Sequence, residues 1–241
     1  MCYLTMERAS IRFFVNPPAN NKEAIYAEAV KRAYTDMSRH TLHYSNKKYK
    51  GQTKKATKAI EDLKDDISRK LLAYETELFD VTTQTGFDKL HKSMCKSVSK
   101  SFTSADSEGI IPIMATPKKA TPKKRRNTFS MGQSQKIVNM VWKYVYLFYQ
   151  YFNAENDSNY AFELERFKTT IVFLHAPIDS YVVSAATKKG SDYYLKCKAP
   201  KYSWSQLFYK EYFGFQKQIR EELAKSNQHP FIWELENYPF K

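Results

Sequence analysis

The chain has 241 residues, 42% hydrophobic and 15% aromatic, and its 39 Lys and Arg against 25 Asp and Glu give a formal net charge of +14. That length allows one large core or two modest ones, and 6 glycines are too few for a many-turned β-sandwich or barrel. The positive excess asks for a polyanionic partner, either nucleic acid or an anionic membrane surface.

No apolar run approaches the ~18 residues of a spanning helix, so a membrane partner is not expected. The N-terminal stretch lacks the basic, then apolar, then small-residue order of a secretory signal. Cys2, Cys95 and Cys197 are far apart and form no zinc, iron–sulfur or CxxC pattern. Reduced thiols, a cytoplasmic location on the nucleoid, and no metal or cofactor are the expectations.

Along the chain, Pro17-Pro18 ends a short apolar segment. A helix starts at a cap on Asn20 or Asn21, with Ile25, Tyr26, Ala29, Val30 and Ala33 as its buried stripe. A second helix over about 53–75 repeats Ile60, Leu63, Ile67, Leu71 and Tyr74 at spacings of three and four. A third, Phe87–Ser101, sets Phe87, Leu90, Met94 and Val98 on one face, and Lys89, Lys92, Lys96 and Lys100 make a basic stripe on another. That stripe is either a solvated face or a row of phosphate contacts.

Residues 103–129 change character. ATPKK occurs twice in tandem and Arg125-Arg126 follows, so Lys118, Lys119, Lys123, Lys124, Arg125 and Arg126 crowd into ten residues. Such a segment cannot build a core and reads as a basic arm or linker. It resembles the Ser/Thr-Pro-Lys-Lys repeats of histone tails, which implies a sequence-blind phosphate contact. The arm separates an N-terminal helical region, 1–102, from a second, 130–241, the two being able to share one domain.

The second region opens on Ser130–Asn153, a tight turn leading into a long, almost wholly apolar helix. A short helix near 160–168, an extended run at Thr169–Leu174, and a helix over about 179–187 follow. A last long helix starts at Ser203, with Gln206 as its capping-box partner. The apolar tail carrying Phe231, Trp233 and Phe240 packs back on the body. The expected fold is mainly α.

Gly132-Gln133-Ser134-Gln135-Lys136, followed downstream by Pro177-Ile178-Asp179-Ser180-Tyr181-Val182, resembles the helix-hairpin-helix DNA glycosylase superfamily over about residues 128–187. In that family a Gly-x-Gly-x-Lys hairpin opens a helix and holds a DNA phosphate on its backbone N–H groups. The lysine, where present, is the nucleophile, and an aspartate at the start of a later helix is catalytic. Ser134 stands where the second glycine of the hairpin falls.

The resemblance implies a compact helical protein with a helix-hairpin-helix-like centre, and Lys136 and Asp179 as the catalytic pair. It also implies Gly132, Gln133, Ser134 and Gln135 on phosphate, and an everted base held in a pocket for which Trp142, His175 and Tyr181 are the candidates. The activity implied is a monomeric DNA glycosylase, with or without strand cleavage, in repair or in removing modified bases from invading DNA. The blander readings are a surface lysine, an N-capping aspartate, a structural histidine and a core tryptophan.

Two other functions compete: a non-catalytic nucleic-acid-binding protein, and a helical RNase. The RNase signature, an arginine and a histidine with four to six residues between them, is not cleanly present. Arg39 and His43 are too close, and Arg32 and His40 too far apart.

Overall fold

A computed structural model describes residues 17–43, 53–107, 113–114, 129–154 and 160–237. Its elements are α1 (Lys22–Thr41), β1 (Leu42–His43), α2 (Thr53–Ala73), α3 (Glu75–Phe79), α4 (Gln84–Ser107), β2 (Ile113–Met114), α5 (Met131–Ala154), α6 (Ala161–Thr170), α7 (Ser180–Thr187), a 3-10 turn (Trp204–Gln206), α8 (Tyr209–Ala224) and α9 (Pro230–Asn237). The fold is mainly helical; β1 and β2 form a two-residue antiparallel pair, Leu42 opposite Met114 and His43 opposite Ile113.

Helix α5 is the axis. It packs most extensively against α1, and also along α4, α6, α8 and the 3-10 turn, while α2 closes the bundle against α1 and α4. From Ile137 to Phe152 its apolar side chains join Ile25, Tyr26, Val30, Leu63, Ile67, Phe87, Met94 and Val98 in one large core. A helix inside a bundle has neighbours on every side, which explains why its sequence is apolar nearly all round. A second, smaller cluster is built from Ile178, Val182, Leu207, Tyr212, Phe215, Ile219 and Trp233, on α7, α8 and α9 and the loops between them.

Several helix starts follow local chemistry. Asn21 Oδ1 accepts from the Ala24 N–H at 2.8 Å and caps α1. Thr83 Oγ1 accepts from the Gly86 N–H at 3.1 Å ahead of α4. The tail does pack back, with Phe231 and Trp233 buried on α9; Phe240 lies outside the described residues.

Two expectations are corrected. Thr169–Leu174 is not extended: α6 runs to Thr170, and turn bonds from Phe173 N–H to Thr170 O and from Leu174 N–H to Ile171 O carry the chain on. The capping box is also elsewhere. Ser203 makes no side-chain cap bond, and only a 3-10 turn follows it before α8 begins at Tyr209. The reciprocal pair is at α5, where the Gln133 N–H donates to Ser130 Oγ and the Ser130 N–H donates to Gln133 Oε1, both at 3.0 Å. Serine with glutamine three residues on occurs at both places. Tertiary contact selects Ser130, whose hydroxyl also donates to the Ser205 carbonyl at 2.5 Å.

Candidate functional site

Four polar residues of α5, at 135, 136, 139 and 143, fall at helical spacing, so they share a face. That face looks at the second apolar cluster and makes a buried polar seam between the two cores. Lys136 Nζ lies 2.5 Å from Asp179 Oδ2, with side chains 6% and 9% exposed. Seven residues on, Lys143 Nζ lies 2.9 Å from Glu234 Oε1, at 3% and 2%. Two full ion pairs are thus withdrawn from water side by side. Desolvating such charges offsets much of their attraction, so stability alone does not account for them.

Asp179 is engaged twice. It is the N-cap of α7, in extended backbone conformation, and the Val182 N–H donates to its Oδ1 at 2.8 Å. Its other oxygen takes Lys136. The Lys136 ammonium also sits 5.3 Å from the centre of the Trp204 ring, so the 3-10 turn covers it. Burial raises the Glu234 carboxyl above its ordinary range, against the opposing pull of Lys143, and Glu234 Oε2 has no hydrogen-bond partner among the described residues.

The seam continues as a hydrogen-bonded chain. Gln135 Nε2 donates to the carbonyls of Gly132 and Ile178 at 2.8 and 2.7 Å, and its Oε1 accepts from Asn139 Nδ2 and the Ile178 N–H. Asn139 Nδ2 and Gln216 Nε2 donate to the Tyr212 oxygen at 3.0 and 3.3 Å. The Tyr212 O–H is then left to donate to His175 Nδ1 at 2.8 Å, which puts the proton of His175 on Nε2, facing Asp88 Oδ1 at 3.0 Å.

Arg220 Nη1 lies 2.9 Å from that same nitrogen, but two donors cannot share it. We assign Arg220 to the Asp88 carboxylate instead, Nη2 to Oδ2 at 3.5 Å, because opposite charges meet there. Burial pushes His175 down to about 4, outweighing Asp88, and burial holds His91 well below its usual value. Both imidazoles are neutral in the fold at neutral pH.

The residues picked from sequence are therefore placed as follows. Lys136 and Asp179, 43 positions apart, are brought into contact. Gly132, Gln133, Ser134 and Gln135 are not a phosphate-gripping hairpin; they are the first two turns of α5, and all four are buried. Their N–H groups are occupied: Gly132 donates to the Leu207 carbonyl at 3.2 Å, Gln133 to Ser130 Oγ, and Ser134 to the Ser130 carbonyl at 2.9 Å.

A Cβ on Gly132 would sit 1.8 Å from the Trp204 carbonyl oxygen, so this glycine lets the 3-10 turn lie on the helix. Trp142 is packed into the larger apolar cluster. It is core, edge-on to Tyr26 with ring centres 5.8 Å apart, its indole N–H donating to Met94 Sδ at 3.3 Å. Tyr181 is only partly buried and its O–H donates to the Asn237 carbonyl at 2.9 Å. Lys118, Lys119, Lys123, Lys124, Arg125 and Arg126 lie outside the described residues.

No family model, no curated protein and no solved structure matches the chain. Among the described residues no group of three His, Cys, Asp or Glu side chains is placed to hold a metal, and no helix is long and apolar enough to cross a membrane. An open cleft of about 580 Å³ between α1 and α2, lined by Glu23, Asp62, Asp65 and Arg69 among others, lies away from the seam.

Lys143, Glu234, Asp88, Tyr212, Asn139, Gln216 and Arg220 are members of the seam that sequence reasoning did not single out. For Gln135, Lys136, Asn139 and Lys143 the signal was present, as four polar residues at helical spacing in a largely apolar helix. For Asp88 and Glu234 no local signal exists; each is one acid among many on an amphipathic helix.

Proposed function

We propose that this protein excises a base from DNA, as a glycosylase whose reacting pair is Lys136 and Asp179. The observation that supports this is the 2.5 Å contact between their side chains at the seam of two apolar clusters. Interfaces between packed units are where clefts for ligands form.

The chemistry suits both groups. Asp179 takes the proton from the Lys136 ammonium, and the free amine attacks the sugar carbon that bears the base. The carbon–nitrogen bond breaks and its electron pair leaves with the base, to which Asp179 passes the proton it took. Asp179 is then a carboxylate again and offsets the positive charge on the sugar. A proton moves from the amine nitrogen to the ring oxygen as the bond between that oxygen and the sugar carbon breaks, which gives an imine and opens the way to strand cleavage. The Trp204 turn has to lift for a flipped nucleotide to reach the amine.

Incubation with DNA carrying damaged or modified bases, followed by alkali, tests the reading; no breaks on any substrate would count against it. Borohydride should trap a covalent complex that Lys136→Ala abolishes and Asp179→Asn slows.

Non-catalytic nucleic-acid binding is the second reading, favoured by the near-complete burial of the pair and by the occupied N–H groups of Gly132, Gln133 and Ser134. It predicts salt-sensitive binding that survives Asp179→Asn, with nothing trapped.

A further inference from the structure

With the 132–135 turn buried, the protein needs another place to hold a nucleic-acid strand, and the lysine stripe of α4 leads to one. Lys89, Lys96 and Lys100 are exposed and Lys92 is partly so. At residues 89, 92, 96 and 100, steps of three and four residues place the side chains on one side of the helix, about 4.5–6 Å apart along its axis. None of the four has a carboxylate within ion-pair distance among the described residues, whereas α1 and α2 are laced with such pairs, Arg32–Glu28 and Lys58–Asp62 among them. Asp88, the chain neighbour of Lys89, is engaged by His175 and Arg220, and Asp66, which reaches Ser101 beside Lys100, is paired with Lys70.

The stripe does not end on bare helix. Lys92 Nζ lies 4.2 Å from the centre of the Tyr209 ring, and the Tyr209 O–H donates to the Asp88 carbonyl at 3.3 Å. Tyr209 opens α8, and its neighbour Phe208 is 53% exposed, one of only two large apolar side chains exposed to that degree among the described residues. Phe208 meets Tyr202 edge-on, ring centres 6.0 Å apart, and Lys201 lies over Tyr202 at 5.7 Å. The lysine row thus reaches Tyr209, and the chain neighbour of Tyr209, Phe208, begins a second group with Tyr202 and Lys201.

We propose that the two together are a binding surface for a single-stranded segment of nucleic acid, with phosphates along the α4 lysines and a base stacked on Phe208. Charge alone would suit any polyanion. An exposed ring at the end of a lysine row adds something only where bases show their faces, and a duplex hides them. The surface rests on the nucleic-acid reading given above but not on catalysis by Lys136.

Fluorescence anisotropy of the full chain with an unmodified single-stranded oligonucleotide, the same sequence as duplex, and heparin as a polyanion without bases tests it. Single-stranded DNA is expected to bind more tightly than duplex. Phe208→Ala should weaken the oligonucleotide about fivefold or more and leave heparin unchanged. Lys89→Gln, Lys92→Gln, Lys96→Gln and Lys100→Gln together should flatten the dependence of log affinity on log salt by about 2 to 3, while Lys58→Gln on α2 should alter little.

Wild-type affinity and salt slope in both altered proteins would overturn this surface and leave the nucleic-acid reading standing. So would a preference for duplex. Failure of the wild-type chain to bind any oligonucleotide at low salt would overturn both. Because all the substituted side chains are exposed or partly so, unchanged circular dichroism and melting temperature separate lost contacts from lost folding.

Discussion

Gly132 and Lys136, four residues apart on α5, face opposite constraints. Gly132 has to stay small: its missing Cβ makes room for the Trp204 carbonyl, a backbone atom that cannot swing aside. Gly132→Ala should therefore push the 3-10 turn off the helix, loosen the Ser130–Ser205 bond, and destabilise the protein by about 1–3 kcal/mol, as overpacking does; the urea midpoint reads this, and an unchanged midpoint would show the clamp to be loose. Lys136 has to stay charged while Asp179 is. Lys136→Ala leaves a buried carboxylate alone, at a cost of about 3–5 kcal/mol. Lys136→Met combined with Asp179→Asn keeps a side chain able to accept the Val182 N–H and removes both charges, so the double variant should be more stable than Lys136→Met alone. A coupling near zero in that cycle would mean that the pair does not act as a unit.

Helix starts carry the clearest contrast between elements. The Ser130–Gln133 box satisfies the first turn of the longest buried helix. Ser130→Ala should lower stability by about 1 kcal/mol, with the lost Ser205 contact adding to it. Ser203→Ala, in an equivalent sequence setting, should change the melting temperature little, because its side chain caps nothing. Amphipathic periodicity made α1, α2 and α4 legible, since each has one wet face and one dry one. It misread Thr169–Leu174, an apolar run short enough to be strand, helix end or turn. Only its neighbours on α3 and α4 decide among these, Gln84 Nε2 donating to the Phe173 carbonyl at 3.0 Å, for example.

The molecule as a whole should be acid-sensitive, because its seam buries neutral imidazoles. His175 titrates at about 4 in the fold against an ordinary 6.5, so the unfolded chain binds more protons between those values. Stability is therefore complete above about pH 6.5 and falls as pH drops toward 4, by an amount on the order of 3 kcal/mol from His175 if unfolding follows simple linkage. His91, also depressed by burial, acts in the same direction. Urea denaturation at pH 7 and pH 5 should show the loss, and His175→Gln should flatten it; a midpoint that does not change with pH would rule out neutral burial. Legible in the residues alone were the helical class, the apolar helix over Ser130–Asn153, a cap at Asn20 or Asn21 and the excess of positive charge, because each depends on composition or on spacing within one element. Two short motifs also set Lys136 and Asp179 apart. It took contacts between distant segments to bury the Gly132 turn, to make Trp142 core, and to bring Glu234 and Asp88 into the seam. No local pattern records which of many similar acids, glycines or serines a neighbouring helix will cover.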